Sequence, residues 1–441
     1  MKRLSAWMLT GVLTVSSIAF GAGMAQAQET PGDTFVPALD TQAAVELYVI
    51  GGYDNFPSLE TVAADFNEYY PSVEIIYEKV DDYENSAPER ILSNQNIDLY
   101  MANHTQITTK KYFSDNALDL VEAGLDISAL DEGVYEGCLN EDGKMLRLPI
   151  YCTTYGMLVN TDLLEENGLE IPKNYAEFAD CCEKLSAAGY TPIYSYAGDN
   201  LPLALVRNMA LVSAAKQAAE DDTFVERLNN GDETAIEAFR PAMEKLEQIM
   251  QQGWMDTEKN AEIEDSYNAL ILRFFEGDVP FALGTTTTRS GCEKRESESE
   301  AYLNNPFAYT FITAPIGEEG SYTYIDTDTG LAINKNSENV DYAAEFLRFY
   351  CTVKELNASA DAKGLISPSS NSEGVEKFKD IDLSNEDYIA YRKDIALNSP
   401  SNKALTAALN AIAFDQKTVD EAMDIYYDTF ASEMETLKAA E

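Results

Sequence analysis

Tyrosines at strand ends with polar neighbours are the chemistry-bearing feature of this 441-residue chain. Tyr53 follows the first predicted strand. Tyr151 and Tyr155 flank the exit from Leu148-Pro149, and Tyr194 and Tyr196 end another strand, with Asp199 and Asn200 just beyond. In open α/β sheets ligands collect beyond the carboxyl ends of strands. A cleft there would gather ring faces that stack on a polyhydroxylated ligand and carboxylates that accept its hydroxyl hydrogens. Each ring also reads as a half-buried packing residue, and residue type alone leaves both readings open.

Catalytic constellations are scarce. With one histidine, His104, an HExxH zinc site is impossible and a Ser–His–Asp triad has a single candidate base. Ser213-Ala-Ala-Lys216 and Ser114-Asp115-Asn116 copy two motifs of serine β-lactamases, but in the wrong order and without KTG. Asp326-Thr-Asp-Thr-Gly330 begins like a calcium loop, yet its glycine is one place early and no glutamate stands at the twelfth position. No Gly-rich phosphate loop or GxSxG elbow is present. The reading is therefore a non-enzyme without metal or cofactor. With 76 acidic residues, a carboxylate pair for glycoside hydrolysis remains the alternative, although no particular pair is marked.

The acidic residues face 31 basic ones, for a net charge of −45. That sign is opposite to a nucleic-acid binder's. Hydrophobic residues at 45% and aromatics at 10% supply a core that acidic disordered chains lack. The charge alone also admits a receptor for cations such as polyamines. Lys2 and Arg3, an apolar run to about Gly21, and Ala25-Gln26-Ala27 read as a secretory signal peptide over residues 1–27. Its removal takes two basic residues and shifts the charge from −45 to −47. No later stretch is apolar enough to span a bilayer, and no cysteine near the cleavage point supports a lipid anchor. A secreted monomer, periplasmic or at the cell surface, is expected. The six cysteines permit disulfides in that setting. The turn at residues 140–143 sets Cys138 opposite 145 or 146, away from Cys152. Cys181-Cys182 sit together on a helix, with one facing the core.

The elements that must position these groups follow from periodicity. Residues 28–44 read as a flexible leader. Strands are predicted at 45–50, 73–77, 97–101, 155–159, 191–196, 279–283, 309–313 and 330–334, and a hairpin at 135–150. Helical stripes run over 59–69, 175–188, much of 201–276, and 340–350. The alternation argues α/β architecture with mostly parallel sheets.

Four segments then converge on one family. Residues 148–164 resemble LPY…YNKDLF. Residues 168–178 resemble GLxxPxTWxEF. Residues 275–284 resemble FxxGxxAMxxG, and residues 330–347 resemble GxAIxKxS followed by AxxFL. The chain thus resembles the extracellular solute-binding proteins of ABC importers, the maltose-binding-protein-like family of sugar type. The resemblance implies a two-lobed periplasmic-binding-protein type II fold with a hinge. One lobe would hold 45–152 with 331–387, and the other 153–330 with 388–441. Chain crossings would lie near 152–155, 326–331 and 387–396. It further implies a carbohydrate ligand in the cleft and importer permease subunits as partners. By position, contacts would come from Tyr53, Asn55, Asn103, His104, Thr153, Tyr155, Tyr196, Asp199, Thr285, Thr286 and Asp328. Trp254, the mature chain's single tryptophan, is a further candidate, as stacking platform or as core plug. The family's frequent tryptophan after its AMxxG stretch is replaced here by Thr285 and Thr286, which leaves the ligand's identity open.

Overall fold

The computed structural model describes residues 35–93, 96–103, 106–107, 110–140, 142–195, 201–263, 266–318, 320–321, 323–371, 389–391 and 397–440. The predicted signal segment lies outside them. Strands run in chain order as β1 (Val45–Gly51), β2 (Val73–Lys79), β3 (Leu99–Asn103), β4 (Leu148–Pro149), β5 (Cys152–Asn160), β6 (Ile193–Tyr194), β7 (Phe281–Thr285), β8 (Tyr309–Thr313), β9 (Thr323–Thr327), β10 (Thr329–Ile333) and β11 (Ile389–Tyr391). They form two sheets flanked by helices, the two-lobed α/β fold expected. The first has the order β2-β1-β3-β10-β4, and the second β11-β9-β5-β7-β6 with β8 paired to β5.

The expectation of mostly parallel sheets needs correction. β1 is parallel to β2 and β3, as consecutive βαβ units require. β10, however, enters the first sheet from the second and runs antiparallel to β3 and β4. β5 is likewise antiparallel to β7, β8 and β9. Each chain crossing delivers a strand pointing back, so both sheets are mixed. The predicted strands 309–313 and helix 340–350 match β8 and helix Val340–Tyr350; β9 and β11 were not anticipated.

Side-chain alternation divides each core. In β1, Leu47 and Val49 join Leu99, Leu331, Phe346 and Leu356 on one face, while Ile50 joins Tyr100, Ala332 and Phe113 on the other. In the second sheet, Met157, Val159 and Phe281 pack with the stripe of Ile236, Phe239, Met243 and Leu246. Leu158, Ala282 and Phe311 pack oppositely on Leu270, Phe274 and Cys292.

Three local expectations are revised. Residues 35–40 are docked rather than loose. The Phe35 ring meets Phe66, Tyr69, Tyr70 and Phe349. Arg348 caps it at 4.4 Å and donates to the Val36 carbonyl at 2.6 Å. The predicted hairpin keeps its turn, with Leu139 bridged to Met145, but its first arm is a helix, Glu132–Gly137, capped by Asp131. Cys181 and Cys182 are both buried, the former beneath the Glu170 carbonyl. All six cysteines are free thiols. Among the described residues no helix is long and apolar enough to cross a membrane.

Candidate functional site

Two chain crossings sit side by side. The first sheet ends at Pro149 in β4 and the second begins at Cys152 in β5; returning, β9 ends at Thr327 and β10 begins at Thr329. Between them Asp328 donates its N–H to the Tyr151 carbonyl at 3.0 Å. The third predicted crossing, 387–396, lies largely outside the described residues.

Arg147 fastens this junction. It is 1% exposed, donates to the Asp328 carbonyl at 3.3 Å and bonds the Thr327 hydroxyl. Gly330 has no alternative beside it, since a Cβ there would sit 2.5 Å from the Leu148 carbonyl oxygen and 2.9 Å from an Arg147 nitrogen. A guanidinium buried at this depth needs nearby negative charge. The Asp328 carboxylate supplies part of it and is held down by Arg147 and Lys363, although its own burial is the larger effect and raises its pKa.

On the first-sheet side, β1 ends at Gly51, packed against the Met101 sulfur and the Tyr77 hydroxyl. The Tyr77 hydroxyl then accepts from the Tyr53 N–H at 3.0 Å and donates to the Tyr53 carbonyl at 2.8 Å, fixing the turn. The Tyr53 hydroxyl bonds the Thr329 hydroxyl at 2.7 Å, and its ring lies edge-on to Phe56 at 5.4 Å. The Lys363 ammonium stands 4.1 Å over the same ring. Burial, with Asp328 nearby, pushes the Tyr53 phenol well up. Asn103 pairs with Thr329 in the ladder, and its side chain accepts from the Gln106 N–H at 2.8 Å.

On the second-sheet side, β5 and β7 pair Tyr155 with Thr285. Thr285 opens helix Thr286–Glu296 through a capping box with Thr288. The Thr153 and Thr286 hydroxyls bond each other at 2.9 Å, and the Thr154 N–H reaches Thr286 at 3.4 Å. In the same helix Ser290 donates to the Lys363 carbonyl at 2.7 Å. Thr153 faces Asp326 in the ladder with β9.

The structure therefore gathers Tyr53, Asn103 and Asp328 around Thr329, and Thr153, Tyr155, Thr285 and Thr286 on the β5–β7 ends. Asn55 is exposed in the loop after β1. Trp254 departs from the group. It is 4% exposed in the core of the second sheet. Gly253, at φ +65°, turns the chain so that the Trp254 N–H bonds the Ile249 carbonyl and the indole tucks inward. Trp254 is the core plug. His104, Tyr196 and Asp199 lie outside the described residues. Arg147, Lys363, Thr329 and Ser290 were missed. Only Arg147 carried a signal, as a lone cation in the apolar run Met145-Leu-Arg-Leu-Pro-Ile150.

The model of the family described as bacterial extracellular solute-binding protein matches residues 53–354. Apo RafE from Streptococcus pneumoniae is similar in structure, with a TM-score of 0.66, 15% identity, and 90% of this chain and 99% of that one covered. A cyclic α-maltosyl-1,6-maltose binding protein from Arthrobacter globiformis gives 0.63 at 15% identity over 88% and 99%. A Bacillus licheniformis sugar transporter in complex with stachyose gives 0.55 at 18% over 87% and 98%. No curated protein sequence matches significantly.

Proposed function

Since the chain belongs to the bacterial extracellular solute-binding protein family, we propose that it is the secreted, monomeric receptor of an ABC importer, binding a neutral sugar or oligosaccharide between its lobes. The observation carrying this reading is the convergence at the crossings. Tyr53, Thr329 and Asp328 come from one sheet's ends, and Thr153 and Thr286 from the other's. Hydroxyls and a carboxylate are the groups that satisfy a polyhydroxylated ligand. The lobes would comprise 45–152 with 331–387 and 153–330 with 388–441, closing by hinge motion around the ligand. Closure requires ligand contacts that the open form lacks. The structural neighbours whose names include stachyose and maltosyl-maltose point to the same ligand class. A cationic ligand is disfavoured by Lys363 at the same junction.

A thermal-shift screen tests this. Neutral oligosaccharides should raise the melting temperature, since a ligand at a hundred times its Kd stabilises by about 2.7 kcal/mol. Amino acids, peptides and polyamines should not. A melting shift with a polyamine and none with any sugar would sink the assignment. Product analysis after long incubation should return the sugar unchanged, whereas a hydrolase would cleave it.

A further inference from the structure

We propose that Lys363, rather than the ring of Tyr53, is the recognition group on the first-sheet side of the site, and that with Asp328 it forms a donor–acceptor pair for two neighbouring hydroxyls of the ligand. The inference rests on the sugar-receptor reading and assigns a residue to it. Tyr53 is already committed. Its hydroxyl is taken by Thr329, the Phe56 ring packs perpendicular to it, and an ammonium stands 4.1 Å over its face, where a sugar would stack. The ring positions Lys363.

The lysine backbone is equally fixed. Lys363 ends helix Val353–Lys363, Gly364 caps it in the left-handed conformation at φ +69°, and the Lys363 carbonyl accepts from Ser290 at 2.7 Å. Among the described residues, neither the ammonium nor the Asp328 carboxylate has a hydrogen-bond or ion-pair partner, although each feels the other's charge. Arg147 is spent on the Asp328 carbonyl and the Thr327 hydroxyl. Half-buried charges without partners are costly, and at a junction lined with hydroxyls they are where ligand groups belong.

The chemistry of the pair selects the ligand. An ammonium only donates and a carboxylate only accepts. A hydroxyl does both, so two adjacent hydroxyls satisfy the pair, one accepting from Lys363 and the other donating to Asp328. A carboxylate ligand would meet Asp328, and an amine would meet Lys363.

Calorimetric titration of the full chain tests the assignment, beginning with the unaltered protein and a panel of neutral oligosaccharides. If no sugar binds, the receptor reading fails and the pair falls with it. With a binding sugar in hand, Lys363→Met should weaken affinity about tenfold or more, the loss of one charge-assisted bond. Monodeoxy analogues provide the readout that a packing role would not move. The analogue lacking the accepting hydroxyl should bind the unaltered protein about tenfold more weakly than the parent sugar does, and Lys363→Met as well as the parent does. Lys363→Gln, which keeps a donor, should fall between and serves if the methionine variant does not fold. Affinity within twofold of the unaltered protein for either variant, or equal losses for every deoxy analogue, overturns the proposal while leaving the receptor reading standing.

Discussion

Asp98 and Asp328 lie at opposite ends of the first sheet, and their surroundings differ sharply. Asp98 precedes β3 and is 2% exposed. Its carboxylate accepts from the Tyr48 N–H at 2.8 Å, from Asn339 Nδ2 at 3.3 Å and from the Ser337 hydroxyl, tying β1, β3 and the turn after β10 together. Asp328 lies at the crossing with no such partner, its nearest opposite charges being Arg147 and Lys363. One carboxylate has spent its acceptors on the fold. The other has been desolvated and left unspent, which stores an incompletely satisfied charge where a ligand can complete it.

The strongest way to break this contrast is to truncate both. Asp98→Ala removes a charge-assisted network and should cost about 3 kcal/mol of unfolding free energy in urea denaturation, while sugar affinity of the folded fraction stays as it was. Asp328→Asn should do the reverse, lowering affinity about tenfold without loss of stability at pH 7. A destabilised Asp328→Asn protein with normal affinity would show that the two carboxylates are structural alike.

The contrast also has a pH signature. Burial raises the Asp328 pKa from its ordinary value. A raised acid contributes stability that is present below its unfolded pKa and lost as pH rises through the folded value. The ligand-free protein should therefore gain stability relative to Asp328→Asn as pH falls from 7 through the acid range. Of the groups around Asp328, namely Arg147, Lys363, Asp326 and Tyr53, only Asp326 is a second carboxylate, so the melting series is repeated with Asp326→Asn. A constant difference across pH would remove the case for an unspent charge.

These contrasts also mark what sequence reading reaches. Tyr309–Thr313 and Val340–Tyr350 are legible because β-branched or amphipathic runs carry their own period. Strand β9, Thr-Tyr-Ile-Asp-Thr, is short and polar, and it exists because β5 offers it an edge. Tyr53 was placed at the site by its strand end. What the ring does there was not legible, since its partner Lys363 is 310 positions away in a helix's last turn, where a lysine needs no further explanation than the helix dipole. Trp254 shows the converse: residue type left platform and core plug open, and the turn at Gly253 buried it. Periodicity reads elements and their faces, whereas pairings between crossings depend on where the chain returns.

The smallest expected effect is the most specific. Gly364 holds φ +69° and ψ +44° as the cap after Lys363. Alanine there costs about 1 kcal/mol for the left-handed conformation, much less than loss of the Asp98 network. If that cap matters only to the helix, Gly364→Ala should lower the melting temperature slightly and leave affinity untouched. If Lys363 is held over Tyr53 for the ligand, relief of the strain by unwinding the last turn carries the ammonium off the ring. Affinity should then fall further than the stability loss accounts for, and Lys363→Met/Gly364→Ala should bind no more weakly than Lys363→Met alone. Calorimetry on the three variants distinguishes these outcomes, because only a positional role makes the two substitutions non-additive.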